Sequence, residues 1–448
     1  VLLDQVKQAG VVGAGGAGFP THVKLQAQVE YYLVNGAECE PLMHKDRELM
    51  CRFSREIVQG LQWAADCVHA DKRIFGIKSK NQCAIQALKT AIGNSPISIH
   101  EFGDYYPAGD EYELVYGITG RLIPAQGLPL QIGAVVNNVE TLFNIYQAVQ
   151  GLPVTDTFLT ITGAVKQPMT TRVPIGMQVR DVLSLAGGPV LSGYRIMESG
   201  LMMGRLLPDD SQPVTKTTGG LIVLPENHRL IQRYTTPPRV MDRIGHSACD
   251  QCSYCTSACD ECCYCTELCP RYLLGYDGQP HLVMRSLGFT SMGSELWNKH
   301  ALLCCQCGIC TLYACPEGLY PREACLRGMT DLRAKGQGKW QGSKQVSVHR
   351  IKDSRRVPVK QLMRRLGVTD YDSHAEFVET SPHPEQVRIP LKQHVGVAAE
   401  AMVKVGEKVE RGRLIGRIPE GKLAAAVHAS ISGVIAEVTT EAVTIRTT

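Results

Sequence analysis

The chain has 448 residues, too many for one ordinary hydrophobic core and enough for three or four domains. With 44% hydrophobic and 20% charged residues it reads as globular, not disordered, and no apolar run reaches the roughly 18 residues that span a bilayer. A net charge of +4 is too small to point to nucleic acid, which leaves no nucleic-acid partner and no membrane span as the expectation. The opening VLLDQVKQAG lacks a basic region followed by a long apolar core, which argues against a secretory signal. Eighteen cysteines, most of them spaced by two residues, point to thiolate–metal chemistry in a reducing cytoplasm, not to disulfides.

Residues 1–150 mix glycine-rich loops with helical and strand-like runs, as an α/β domain does. The segment GVVGAGGAGFPTHVK, residues 10–24, contains a formal G-x-G-x-x-G at Gly13, Gly15 and Gly18. A dinucleotide fingerprint should follow a strand and open a helix, but the preceding LLDQVKQA has helical spacing, so the ordinary Rossmann reading fails. Its physical content survives. Glycines at this density let backbone N–H groups approach phosphate closely, and Lys24 would add a point charge; a tight turn between helices is the bland alternative. Downstream, NGAECEPLMHKDRE, residues 35–48, sets Glu38 and Glu40 among small residues. Carboxylates beside a phosphate loop are expected to hold ribose hydroxyls or steer a nicotinamide, with solvated surface glutamates as the alternative. VVNNVET, residues 135–141, adds Asn137 and Asn138.

Residues 153–235 alternate β-branched and polar residues around Gly and Pro turns, which predicts a small β-rich module. Residues 247–330 hold fourteen of the eighteen cysteines. Their first part is a decapeptide written twice, SACDQCSYCT then SACDECCYCT, closed by ELCP. Read from the second copy, Cys259-x2-Cys262-x2-Cys265-x3-Cys269-Pro270 is the bacterial ferredoxin spacing, in which three thiolates wrap one cubane and the fourth reaches the other. A second run comes at Cys304, Cys307, Cys310 and Cys315-Pro316. With fourth ligands exchanged, Cys259, Cys262, Cys265 and Cys315 are expected on one [4Fe–4S] cluster, and Cys304, Cys307, Cys310 and Cys269 on the other. Zinc is the alternative, although its Cys-x2-Cys pairs usually come separated, not as triplets. Cys249, Cys252 and Cys255 in the first copy repeat the triplet spacing, and either an idle loop or a third, competing cluster fits them. Cys263, Cys305 and Cys325 fall outside the spacing and read as bystanders. Residues 331–385 form a basic linker, with a docking surface for an acidic partner as the sharper reading. Residues 386–448 read as short strands between Gly turns, a second all-β module.

GAGGAGFPTHVK, NGAECEP, KDR and NNVET together resemble the flavin-bearing, NADH-oxidising subunit of respiratory complex I, and more closely its relative in the ion-translocating Rnf complex. The chain departs from the complex I pattern at Val12, Ala14, His22 and Ala37. The resemblance implies FMN on the glycine loop and NNVET region and NADH beside the acidic loop, with Gly13, Gly15, Gly16, Gly18, Lys24, Asn35, Glu38, Glu40, Asn137 and Asn138 as the carried-over positions. It further implies a multidomain α/β and β chain: an α/β flavin-binding domain, a β-grasp module similar to SLBB domains, a ferredoxin-type domain for two [4Fe–4S] clusters, and a C-terminal barrel-sandwich hybrid. In the Rnf subunit that last module lies at the other end. This rearranged order, with RYLLGYDGQPHLVMRSLGFT between the cysteine runs, is most similar to the cobalamin reductases of propanediol-utilisation microcompartments. That likeness implies NADH-dependent reduction of a corrinoid, cob(III)alamin to cob(II)alamin to cob(I)alamin, for an adenosyltransferase, in the cytoplasm inside or at a microcompartment shell. An electron-input subunit of an Rnf-type membrane complex and a non-catalytic relay docked to a shell protein are the alternatives. Asp372-x-His374 stops short of a base-off corrinoid motif at Phe377, so His374 reads as a surface residue, and Lys422 lacks the surroundings of a lipoyl lysine, so the C-terminal module reads as structural.

Overall fold

The computed structural model describes residues 1–246, 259–286, 298–342 and 346–448. The first decapeptide copy, with Cys249, Cys252 and Cys255, lies outside the described residues.

The N-terminal domain is built on a four-stranded parallel sheet in the spatial order Ile97–Phe102, Lys72–Lys78, Tyr31–Gly36, Ala134–Asn138. Its central strand, YYLVNG, is buried almost throughout, as expected where helices cover both faces of a parallel sheet. Helix Ser54–Cys67 buries Ile57, Val58, Leu61, Ala64 and Ala65, spaced as one helical face. It packs on helix Val139–Val149 at close range: a Cβ on Gly60 would lie 2.1 Å from the Leu142 carbonyl oxygen, so only glycine permits the approach. The sheet pairs Asn35 with Asn138 and Val34 with Asn137, which brings three candidate asparagines to the carboxyl ends of adjacent strands. Strand order reverses there, and ligands of open α/β sheets bind in the crevice at such a point.

The second module is a five-stranded sheet in the order Met169–Pro174, Asp156–Gly163, Gly220–Pro225, Tyr194–Glu198, Arg205–Leu206, crossed by helix Val179–Leu185. The C-terminal module consists of a four-stranded and a three-stranded antiparallel sheet. Their apolar residues, among them Val387, Ile389, Ile415, Val443 and Ile445, join one continuous core with the first domain's helices. The modules are therefore fused through apolar packing, not strung together.

The basic stretch expected as a solvated linker is structured where it is described. Val357–Pro358 pairs antiparallel with Tyr105–Tyr106. Helix Val359–Leu366 buries Val359, Leu362, Met363 and Leu366 and turns its Lys and Arg outward. Much of the remaining charge is partnered: Lys352 pairs with Glu113 at 2.8 Å, both buried, and Arg355 pairs with Glu267. The composition signalled solvent, but the spacing of apolar residues gave the helix a face to bury. No helix among the described residues is long and apolar enough to cross a membrane.

Candidate functional site

The glycine loop is anchored at its stem and open at its tip. The Gly13 amide donates to the Phe19 carbonyl at 2.9 Å, Val12 bridges Pro20, and the Ala14 amide donates to Thr141 Oγ1 at 3.1 Å. Gly15, Gly16 and Ala17 are exposed, and among the described residues a Cβ on Gly16 would meet nothing within 4 Å. Gly15 lies against Asn138, whose side chain would sit 3.0 Å from an added Cβ. Asn138 in turn caps helix Val139–Val149 through the Glu140 amide and donates to Asp46 at 2.6 Å. Asn35 bonds the Gly109 carbonyl at 2.8 Å. Asn137 donates to the Tyr32 hydroxyl, while its own Oδ1 is buried without a partner among the described residues. An open glycine turn suits a phosphorylated ligand such as FMN, while the unpartnered Asn137 oxygen, an acceptor, suits an N–H or O–H of such a ligand and not its phosphate.

Lys24 stands apart from the tip. Its ammonium donates to the Val136 carbonyl at 2.8 Å, and burial lowers its pKa, with Glu111 opposing. The two glutamates are held by protein groups. Glu38 accepts from the amides of Asp46 and Arg47 and so caps helix Lys45–Arg52. Burial and the neighbouring Asp46 carboxylate raise its pKa. Glu40 accepts from the amides of Met202 and Met203 at 2.9 and 2.8 Å, joining the first domain to the second. Burial pushes its carboxyl up to about 7 against the pull of those amides. His374 is exposed, as expected, and its ring bonds Glu48 at 2.7 Å.

Sequence reasoning passed over the buried ion pair behind the loop. Lys45 donates to Glu140 at 2.8 Å and to the Ala14 carbonyl at 3.2 Å. Burial alone would lower its pKa, but Glu140 and Asp46 hold it above the ordinary value. The remaining oxygen of Glu140 accepts from the Phe158 amide of the second module. Three consecutive charges, KDR, opening a helix that also buries Leu49 and Met50 were the available signal.

The second locus is a pair of cysteine-lined pockets. One is lined by Cys259, Cys262, Cys265 and Cys315, with Cys263 and Met284 at its edge. The other is lined by Cys269, Cys304, Cys307 and Cys310, with Cys305, Cys325 and His300 beside them. The two fours are the sets that the exchanged ferredoxin spacing groups together. Among the described residues, no three His, Cys, Asp or Glu side chains converge as a single metal ion would need. Four sulfurs around an open space are instead the donor set of a cubane cluster. Cys305 and Cys325, expected as bystanders, are wall residues of the second pocket, and Cys325 hydrogen-bonds Cys304.

That pocket is tied to the first domain and to the second. The Tyr106 hydroxyl donates to the Cys307 carbonyl at 2.8 Å, and Arg271, two residues beyond Cys269, grips Asp110. Arg322 donates to the Met202 carbonyl at 3.0 Å, next to the amides that hold Glu40.

Comparison with known proteins assigns each module. The Nuo51 FMN-binding domain matches residues 6–147, the SLBB domain residues 158–206, the 4Fe-4S dicluster domain residues 258–320, and the RnfC barrel sandwich hybrid domain residues 368–448. Cobalamin reductase PduS of Salmonella typhimurium is 42% identical over 99% of this chain and 96% of its own length. The chain belongs to the PduS cobalamin reductase family. The PduS protein of Citrobacter freundii is 40% identical over the same shares. A component of the Na(+)-translocating ferredoxin:NAD(+) oxidoreductase complex of Acetobacterium woodii is 38% identical, over 50% of this chain and 52% of its own. This chain therefore joins an FMN-binding domain, an SLBB domain, a 4Fe-4S dicluster domain and a barrel sandwich hybrid domain in one polypeptide.

Proposed function

We propose that the protein is an NADH-dependent flavin and iron–sulfur reductase whose acceptor is a corrinoid, taken from cob(III)alamin through cob(II)alamin to cob(I)alamin. The observation that carries this reading is the bonded junction between the FMN-binding domain and the pocket of Cys269, Cys304, Cys307 and Cys310, through Asp110 with Arg271 and Tyr106 with Cys307. Such a junction fixes one redox site against another, as electron transfer between them requires. Family membership supports the corrinoid acceptor.

Within this reading the exposed amides of Gly15 and Gly16 receive the FMN phosphate, while Gly13 and Gly18 set the ends of the turn. Asn35, Asn137 and Asn138 line the crevice that takes the rest of the flavin. Lys24 ties the segment that follows the loop to strand Ala134–Asn138 through its bond to the Val136 carbonyl. Glu38 and Glu40 face NADH at the cost of their present amide partners, or else shape its entrance while keeping them. Cys259, Cys262, Cys265 and Cys315 hold one cluster, and Cys304, Cys307, Cys310 and Cys269 the other. Bound there, FMN and the clusters would convert a two-electron hydride donor into single electrons. The protein keeps Cys269, Cys307 and Cys310 of the second pocket buried, away from water. An adenosyltransferase that consumes cob(I)alamin and a microcompartment shell protein are the partners this reading implies.

Anaerobic reconstitution with FMN and iron, followed by NADH and cob(III)alamin, tests it. Flavin bleaching with corrinoid reduction supports the proposal. Bleaching without corrinoid reduction leaves the second reading, an electron-input subunit of an Rnf-type complex, which the 38% identity to the Acetobacterium woodii protein favours. No bleaching leaves a non-catalytic relay.

A further inference from the structure

Lys216 is 4% exposed, and among the described residues no carboxylate faces it. Its amine instead donates to two carbonyls from two other modules, Gly10 at 2.6 Å and Ala426 at 2.8 Å. Gly10 begins the glycine loop in a left-handed conformation, φ +69°, and a Cβ there would lie 2.3 Å from the Ala426 oxygen and 2.8 Å from the Lys216 amine. Burial brings the Lys216 pKa down to about 7. Two of the amine's N–H bonds are thus taken by backbone carbonyls from two other modules.

The other end of the loop is held by the same segments. Gly18, φ +70°, lies against Thr217, Gln393 and His394, and its carbonyl accepts from the Val395 amide. The Lys216 amide donates to Gln393 Oε1 at 2.9 Å, closing the circle between the second module and the C-terminal one. The Ala425 amide donates to His394, which ties the two C-terminal segments to each other. Both ends of the loop are thus gripped, and its exposed tip is Gly15–Ala17.

We infer that Lys216 is a positioning residue for the flavin phosphate: with Gln393 it locks the second and C-terminal modules onto both ends of the glycine loop, so that its tip is preorganised for a phosphate. The inference rests on the reading of this loop as the FMN phosphate site. It gives the C-terminal barrel-sandwich module a part in the redox site, distant in sequence though it is. Preorganisation matters here because an unclasped glycine turn loses more backbone freedom on binding than any other sequence would.

A pair of ligands isolates the effect. FMN and riboflavin share the isoalloxazine ring and differ in the phosphate, so loss of the clasp should weaken FMN and spare riboflavin. Flavin-fluorescence titration of the full-length, flavin-free protein is the measurement, on the wild type, Lys216→Met and Gln393→Ala. The expected result is an FMN Kd raised roughly tenfold or more in both variants, about 1.4 kcal/mol, with riboflavin affinity unchanged. Gln393→Ala keeps the test alive if the buried methionine prevents folding. Equal weakening of both flavins would mark a merely structural residue and overturn the inference, as would unchanged FMN affinity. A wild type that binds neither flavin would overturn the flavin reading along with it; a wild type that prefers FMN while both variants keep that preference would overturn the inference alone.

Discussion

Asp110 receives Arg271 through both terminal guanidinium nitrogens, at 2.5 and 3.0 Å, and the same carboxylate caps helix Glu111–Thr119 through the amides of Tyr112 and Glu113. Arg271 also lies over the Tyr112 ring, 4.0 Å from its centroid. One buried side chain thus terminates a helix of the FMN-binding domain and holds the residue next to the Cys269-Pro270 turn.

Removing one partner of a buried ion pair leaves the other charge uncompensated, at a cost of about 3–5 kcal/mol. Asp110→Ala should therefore loosen the cluster module before the flavin domain melts. Guanidinium titration followed by the cluster absorbance should show an earlier midpoint for iron loss than for loss of helix signal. Coincident midpoints equal to those of the wild type would refute this role.

Lys45→Met strands Glu140 in the core beneath the glycine loop. By the same reasoning the flavin domain should lose about 3–5 kcal/mol, while Lys45→Met combined with Glu140→Gln should recover most of it. Denaturant unfolding of the four proteins in the double-mutant cycle measures the coupling directly.

Acid should open the junction between modules. Burial, with Lys216 adding repulsion, brings His394 down to about 4, and the same causes lower the pKa of His428 to about 3. Each is lowered from an ordinary 6.5, so the unfolded chain binds protons that the folded one refuses. Their contribution to stability is complete above pH 6.5 and is lost as pH falls toward 4. Hydrogen exchange of residues 386–448 should accelerate at about pH 5 relative to about pH 7.5, more than in the parallel sheet. Exchange that slows on acidification, after correction for the intrinsic rate, would contradict the assignment.

The cysteine pockets were legible in the sequence because cluster binding imposes short, fixed spacings, and even the exchange of Cys269 with Cys315 came from the two Cys-Pro ends. The asparagines came from the resemblance and not from the spacing: Asn137 and Asn138 read as loop residues, whereas the structure sets them and Asn35 at the ends of paired strands. What was hidden lies in pairs far apart along the chain: Lys45 with Glu140, Lys352 with Glu113, Lys216 with Gly10 and Ala426. A charged residue carries no local mark of whether it will meet water or a buried partner. Composition therefore favoured a solvated linker at 331–385, where the apolar spacing of Val359, Leu362, Met363 and Leu366 was the better guide.

The doubled decapeptide has its own test. Replacing Cys249, Cys252 and Cys255 by Ser should leave iron near about eight per chain, as two cubanes require. A loss of about four would assign the first copy a cluster of its own.

The most direct test of the whole account is a single anaerobic cuvette. Protein reconstituted with FMN and iron is mixed with NADH, and the flavin, cluster and corrinoid absorbances are followed together after cob(III)alamin is added. The account predicts flavin bleaching, loss of cluster absorbance and then the appearance of cob(II)alamin, with corrinoid reduction abolished in Cys307→Ser although NADH still bleaches the flavin. Corrinoid reduction at the wild-type rate in Cys307→Ser would contradict it.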